Sequence, residues 1–594
     1  MSVLAPALLE SLRRVIRTPG EARLDASAAI ALQQVVTALS AALERGDLAV
    51  DLEGPPPDDT TAAAPEDTAR TSPQPPPAEE RTSGGADASL APAWPDAHLA
   101  ALLACGWLVD ARSLAANPAA PVVRDGRWLR WRRWHEQQEH CLSALLARGQ
   151  ATCDPAPSTN ERRQALENAA AAGLDPQQCG AVEALLLHRV VLLSGGPGTG
   201  KTSTVVQMLA GLLRLHPELR LQLAAPTGKA AARLGASVAS GAAALEDGLS
   251  QRLQNVPCGT LHRLLEARGD GAGFRRGPNL PLELDLLVVD EVSMVDLPLM
   301  QALLAALPDA ARLLLVGDPG QLPPVGPGAV LQELSRPDVL TRLGPAAIEL
   351  RTTYRNDGAI ANLAAALRHR SGRTADPLEI LRPLLRQLQP EDNVAWLEAP
   401  GQRPPDEALA PLRLHQHRLA ERAAALGELD LQRGADPQAA DDLLAELERL
   451  MLLSPIRQGP WGVEGVHRAL LGDVLAGSPQ RWPLGTPVLN RRNLPEQGLA
   501  NGDIGVLVAG REGGRLVLFP GGRLLHPARL AGAEPAFAIT VHKSQGSQYR
   551  EVLVLLPAGR HAEASLIYTA LTRARERALV ITAAASSDAA PPPG

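Results

Sequence analysis

One octapeptide constrains this chain more than any other feature of its 594 residues. Gly195-Gly196-Pro197-Gly198-Thr199-Gly200-Lys201-Thr202 follows the apolar run VVLLS and leads into the helical pattern TSTVVQMLAGLL. A glycine-rich turn between a buried strand and a helix start lets backbone N–H groups approach an anion closely. The helix N-terminus adds the positive end of its dipole. The spacing GxxxxGK[ST] in that setting predicts a phosphate cradle running from Gly195 through Ser203. Lys201 is expected on the β and γ phosphates of ATP, and Thr202 on a Mg²⁺ ion.

Such a cradle belongs on a parallel sheet. The runs RVVLLSGG, RLQLAAPTG, LDLLVVDE and ARLLLVGD are short, apolar throughout and end in turns. That pattern fits strands buried on both faces and joined by crossover helices. A second series follows in AAIELRTTYR, LMLLSPIRQ, FAITVHKSQG, EVLVLLP and RALVITA. The fold class is therefore α/β, with tandem blocks at 160–340 and at 341–490 with 532–588. Within the second, the stretch 501–525 holds short β runs broken by glycine, so residues 491–531 are predicted to form a small barrel-like β insertion. Residues 1–150 read as an α-rich N-terminal domain. Trp128, Trp131 and Trp134 are spaced for one helical face or for a strand running into a helix. Core packing is the favoured reading of these tryptophans, with a nucleic-acid patch the weaker one.

A chain this long needs three or more domains. The N-terminus lacks the ordered features of an export signal, and no apolar run is expected to span a membrane, so the reading is cytoplasmic. The five cysteines form no CxxC pair, which argues against a zinc site or a disulfide framework. The net charge of −7 is concentrated in residues 54–96, where eight acids and two arginines give −6 and leave about −1 for the rest. That Pro-rich stretch, GPPPDDTTAAAPEDTARTSPQPPPAEERTSGG, cannot bury enough apolar surface to fold, and a disordered acidic insertion is expected there. The remainder is near neutral, so any contact with nucleic acid must be local, in a groove.

Further residues suit phosphoryl chemistry. Asp290-Glu291 ends the apolar strand LDLLVV; a strand-end carboxylate beside such a cradle holds Mg²⁺, and its neighbour can polarise the attacking water. Gln321 follows the strand LLLV and can sense the γ-phosphate. Arg355 and Arg573 lie in the second block, where an arginine laid over the γ-phosphate would couple hydrolysis to closure. Thr227 and Lys229 in APTGK, and Thr540, His542 and Lys543 in TVHKSQG, sit at strand ends and suit single-strand phosphates. The chain holds three lysines, Lys201, Lys229 and Lys543, and all fall in these motifs. The residues two before them are Thr199, Thr227 and Val541. The carboxylate-x-Lys arrangement of many metal-dependent nucleases therefore cannot form here, and any such cutting would fall to a partner.

GGPGTGKT, APTGKAAARL, TLHRLL, VVDEVSM, GDPGQLPPV, YR, SPIRQGPWGV, NGDIG, TVHKSQGSQ and YTALTRAR stand in one order across roughly residues 160–585. The set closely resembles superfamily 1 helicases of the RecD branch. The resemblance implies two RecA-like domains, an SH3-like insertion and 5′→3′ translocation on DNA. It places the upstream glutamine that contacts adenine at Gln178, with Gln177 beside it. It puts Lys201, Thr202, Asp290, Glu291, Gln321, Arg355 and Arg573 at the ATP site. Thr227, Lys229, His262, Thr540, His542 and Lys543 fall near DNA. Residues 266–280, with Phe274 their one aromatic, match a strand-separating hairpin. The branch also implies work on duplex ends with RecB-like and RecC-like subunits in double-strand break repair, the nuclease residing in a partner. A stand-alone RecD-like helicase and a nucleotide-binding regulatory subunit are the alternatives.

Overall fold

The computed structural model describes residues 26–54, 56, 93–153, 155–269, 273–354, 358–368, 376–431, 434–557 and 563–584. Most of the predicted acidic insertion lies outside the described residues. The chain divides into two compact units. One comprises residues up to Ala147 with Met294–Leu304 and Pro323–Leu334, and the other holds the rest.

In the first unit, strands β1 (Ala49–Asp51), β2 (Leu108–Asp110), β3 (Val122–Asp125) and β4 (Trp128–Trp131) form a sheet in the order β1-β4-β3-β2. The helices Ala26–Glu44 and Asp96–Ala104 accompany it. Leu32, Val35, Val36 and Leu39 recur at helical spacing and pack with Leu102, Trp107 and Leu129 in one core. Ser27–Glu44 reaches a mean hydropathy of 1.2 and is long and apolar enough to cross a membrane, contrary to expectation. Its alanine and valine content lifts the average although only one face of the helix enters the core. The tryptophan spacing resolves as a strand running into a helix: β4 ends at Trp131, and Arg132–Gln150 follows at once. Trp131 is buried in the core, whereas Trp128 is exposed beneath the Arg127 guanidinium, 5.1 Å from its ring centre.

The second unit is α/β. Strands β5 (Val190–Gly195), β6 (Leu221–Ala225), β7 (Cys258–Thr260), β8 (Leu286–Val289), β9 (Arg312–Gly317) and β10 (Ala347–Leu350) form a sheet in the order β10-β5-β9-β8-β6-β7. Every pairing is parallel. Every residue of β5 and β8 is buried, which is why these strands are apolar throughout rather than alternating. One expectation needs correction. By position the run AAIEL opens the second series, but β10 pairs with β5, Ala347 opposite Leu192, and completes the first sheet. Hydropathy identifies a strand without identifying its neighbour.

The second sheet takes β11 (Val394–Ala399) and β12 (Leu450–Ser454). It is then interrupted by β13 (Pro487–Leu489), β14 (Ile504–Ala509), β15 (Arg515–Phe519), β16 (Arg523–Leu525) and β17 (Glu534–Pro535), and resumes with β18 (Ala538–Thr540), β19 (Tyr549–Leu556) and β20 (Ala574–Ala583). Its order, β11-β20-β19-β12-β18, is again all parallel. The interrupting strands form their own antiparallel sheet, β16-β15-β14-β13-β17. It draws on residues either side of the 491–531 window, because β13 and β17 pair with each other.

Two histidines are locked into the second block. The Nε2 of His467 accepts the Ala538 N–H at 3.2 Å, and His415 sits with its Nδ1 3.5 Å from the Glu446 carboxylate. Burial lowers both from the usual 6.5 to about 4. A depressed histidine favours the neutral form when folded, so the unfolded chain takes up the proton first. Stability is full above pH 6.5 and falls as pH drops towards 4, by ~3 kcal/mol for each such group. Urea midpoints measured between pH 7 and 4.5 are expected to fall less steeply for His467→Gln than for the parent chain.

Candidate functional site

The cradle forms where β5 runs out. Gly200 adopts φ +77°, a left-handed turn that sets the start of the helix Lys201–Leu215. A Cβ at Gly195 would lie 2.6 Å from Thr199 Oγ1, so the backbone there leaves no room for a side chain. Thr199 Oγ1 donates to the Gly196 carbonyl at 2.9 Å. Lys201 Nζ donates to the carbonyls of Gly195 and Gly196 at 2.7 and 2.8 Å. Ser203 Oγ and Thr204 Oγ1 both donate to Gly200 O, at 2.8 and 2.9 Å. The loop is thus fixed by its own polar side chains, with Thr202 half-buried in the first helical turn. Burial holds the Lys201 ammonium below its ordinary value, although Asp318, Glu291 and Asp290 pull the other way.

Gln178 approaches the loop from one side. It is buried in a capping box with Asp175, and its Nε2 lies 3.4 Å from Thr199 O. Gln177 turns elsewhere, its Oε1 accepting the Arg351 N–H at 3.1 Å, so Gln178 is the glutamine that faces the cradle. Tyr354, just beyond β10, donates its N–H to Gly198 O at 2.8 Å and its hydroxyl to Asp175 Oδ2 at 2.6 Å. The residue is 57% exposed, and its ring offers a flat apolar surface beside the glycines. In the sequence this tyrosine stands out only as part of the YR motif, with no role of its own.

Asp290 and Glu291 follow β8. Glu291 has φ +53°, unusual for a residue with a side chain, and its N–H donates to Asp290 Oδ1 at 2.9 Å. Burial, then the Glu291 charge, pushes Asp290 up to about 6, while Lys201 and Arg233 act in the opposite sense. Arg233 lies on the helix Gly228–Ala242 and feels Glu291, Arg573 and Asp290, a third cation that sequence spacing did not single out. A carboxyl held out of water beside a second carboxylate, with the Thr202 hydroxyl in the cradle's first turn, is a donor set that fits Mg²⁺, a hard cation preferring oxygen ligands. Such an ion would neutralise developing phosphate charge.

Past β9, the motif GDPGQL is bound to the second block. Asp318 accepts from the Tyr568 hydroxyl at 2.7 Å and from Gln321 Nε2 at 3.3 Å. The Leu322 N–H donates to Thr569 Oγ1 at 2.9 Å, and Gln545 Nε2 donates to Leu322 O at 3.1 Å. Gln321 Oε1 is buried without a hydrogen bond. Arg573 is 1% exposed; its Nε and one terminal nitrogen donate to the carbonyls of Thr569 and Ser547, both at 3.2 Å. Arg355 lies outside the described residues.

The strand-end motifs also meet. Thr227 caps the helix Gly228–Ala242, accepting from Ala230 N, and a Cβ on Gly546 would stand 3.4 Å from Thr227 Oγ1. Lys229 Nζ lies 5.7 Å over the Tyr549 ring. Thr540 ends β18, and His542 and Lys543 are exposed just after it. Lys543 Nζ pairs with Glu534 on β17 at 3.2 Å. His262 follows Thr260, which pairs with Ala225 at the end of β6, and its ring centre is 5.8 Å from that of Phe274. Phe274 belongs to a bridged turn, Ala267 opposite Phe274, whose residues 270–272 are outside the described residues.

Comparison with known proteins agrees with this geometry. A model described as an AAA domain matches residues 178–327, and a UvrD-like helicase C-terminal domain matches residues 535–581. The chain is 37% identical over 521 residues to the RecBCD enzyme subunit RecD of Mycobacterium tuberculosis, covering 84% of this chain and 82% of that protein. It is 39% identical over 435 residues to the subunit of the same name from Mycolicibacterium smegmatis, covering 70% and 73%. The ATP-dependent RecD2 DNA helicase of Deinococcus radiodurans is 32% identical over 446 residues, covering 73% of this chain and 52% of that protein.

Tyr568→Phe keeps the ring against Gly320 but removes the bond to Asp318. A buried hydrogen bond to a charged group is worth ~1.5–3 kcal/mol. ATP turnover should fall about tenfold or more, with nucleotide affinity changed less than threefold, in a steady-state assay on the purified variant.

Proposed function

The chain belongs to the RecD family and is an ATP-dependent DNA helicase, and on that premise we propose that it is the 5′→3′ motor subunit of a RecBCD-type complex. In this reading it acts in the cytoplasm with RecB-like and RecC-like subunits and unwinds duplex ends for double-strand break repair. The nuclease resides in a partner. The match along most of the RecD subunits' length, against about half of the RecD2 helicase, supports the subunit over the stand-alone reading.

One observation carries the mechanism: the loop after β9 is hydrogen-bonded through Asp318 and Leu322 to Tyr568, Thr569 and Gln545 of the second block. Residues that would sense the nucleotide are therefore tied to the sheet that carries TVHKSQG. The backbone from Gly195 to Ser203, with Lys201, receives the phosphates; Gln178 and the Tyr354 ring receive the adenine edge and face. Asp290 and Thr202 would hold Mg²⁺, which would offset the phosphate charge. Glu291 orients a water and accepts its proton as the water oxygen bonds to the terminal phosphorus and the bond to ADP breaks. Gln321, Arg355 and Arg573 answer the charge that moves. Thr227, Lys229, His262, Thr540, His542 and Lys543 take successive phosphates of the single strand, so a change at the nucleotide shifts one group of contacts relative to the other.

Lys201→Gln is expected to lower ATP turnover by ~10²-fold or more and to abolish unwinding by this subunit; persistent ATP-driven unwinding would refute the motor assignment. The native chain should co-purify with RecB-like and RecC-like subunits. Its motor should open a duplex bearing a 5′ overhang, and sole use of a 3′ overhang would contradict the polarity.

A further inference from the structure

Arg368 ends the helix Ala359–Arg368 of the second block, yet its guanidinium lies in the cradle. A Cβ placed on Gly196 would stand 3.6 Å from one terminal nitrogen, Nη1, and one on Gly320 would touch the side-chain stem at 3.3 Å. The stem thus crosses the loop after β9, and the charged end stops at the loop after β5. Both Lys201 and Tyr568 feel its positive charge.

That charge is poorly matched. The other terminal nitrogen, Nη2, is buried and makes no hydrogen bond. Among the described residues its nearest carboxylate oxygen is Glu349 Oε1 at 3.6 Å. Glu349 is already engaged by Arg351, whose Nη2 lies 3.0 Å from Oε2. One partly exposed carboxylate therefore serves two guanidiniums, and the closer pair is the other one. A cation withdrawn from water without a full partner is costly unless an anion completes the site. It also stands within reach of Lys201, so the two cations repel each other unless a polyanion lies between them.

We infer that Arg368 is a catalytic residue that binds the terminal phosphate of ATP from the second block. Its fork can engage two phosphate oxygens at once, which a lysine cannot do. The loss of that phosphate on hydrolysis leaves Arg368 with only its distant carboxylate, and the two blocks lose one contact made through the nucleotide. This inference rests on the reading of the Lys201 loop as the nucleotide site.

The test compares the full chain with Arg368→Gln, Arg368→Lys and Glu349→Gln, reading ATP turnover and the affinities for ADP and ATPγS. Arg368→Gln should lower kcat at least a hundredfold and weaken ATPγS about tenfold, with ADP affinity changed less than twofold. Unchanged ADP binding also reports that the variant has folded. Arg368→Lys should recover ATPγS affinity in part yet remain at least tenfold below the parent in kcat. Glu349→Gln should stay within threefold of the parent. Parental kcat and ATPγS affinity in Arg368→Gln and Arg368→Lys would overturn the inference. An equal loss in Glu349→Gln would do so too, since it would make the ion pair a structural one. Turnover insensitive to Lys201→Gln would remove the underlying reading instead.

Discussion

Charge taken out of water must be matched, and around β5 and β8 the matching is done by groups from distant parts of the chain. Lys201 and Arg233 face Asp290 and Glu291, and Asp318 acts on Lys201 as well, with burial raising the carboxyl of Asp290 and lowering the ammonium of Lys201. No stretch of sequence supplies both signs in the right place. The parallel sheet is what gathers them, because every strand of the first sheet delivers its carboxyl end to the same edge. The two loops that follow β8 and β9 then need firm anchoring. Glu291 takes a left-handed backbone to reach its position, and Asp318 is held by a tyrosine 250 residues further along.

The parts of this arrangement that were legible are those written in local spacing. Gly195 to Thr202 reads as a phosphate loop because strand, turn and helix start are contiguous, and Asp290-Glu291 reads as a strand end for the same reason. The parallel sheets were legible in the unbroken apolar runs of β5, β8 and β9. What could not be read was adjacency. The strand Ala347–Leu350 looked like the first of a new block because it precedes the second series, yet it pairs with β5 and so delivers Tyr354 to the loop. Tyr568, Thr569 and Gln545 were visible only as members of motifs. Their hydrogen bonds to Asp318 and Leu322 depend on how two sheets pack, which no periodicity encodes.

Local chemistry also has two readings that sequence does not separate. Thr227 suits a phosphate contact, and it caps a helix through the same hydroxyl. Ser27–Glu44 is long and apolar enough to cross a membrane because alanine and valine raise its mean hydropathy, while Leu32, Val35, Val36 and Leu39 place one face of it in a core.

The antiparallel sheet of β13 to β17 leaves the second parallel sheet after β12 and returns at β18, its neighbour in that sheet. Its last strand is joined to β18 by only two residues, Ala536 and Phe537, and both are buried. Glu534 on that last strand grips Lys543, Arg457 and Arg491. A load applied to the insert therefore has a short, stiff path into the TVHKSQG turn, through backbone on one side and an ion-pair cluster on the other. Seen mechanically, the insert is a strain gauge mounted on the strand that leads to Lys543, and tension on it would register at that lysine ahead of the nucleotide loop.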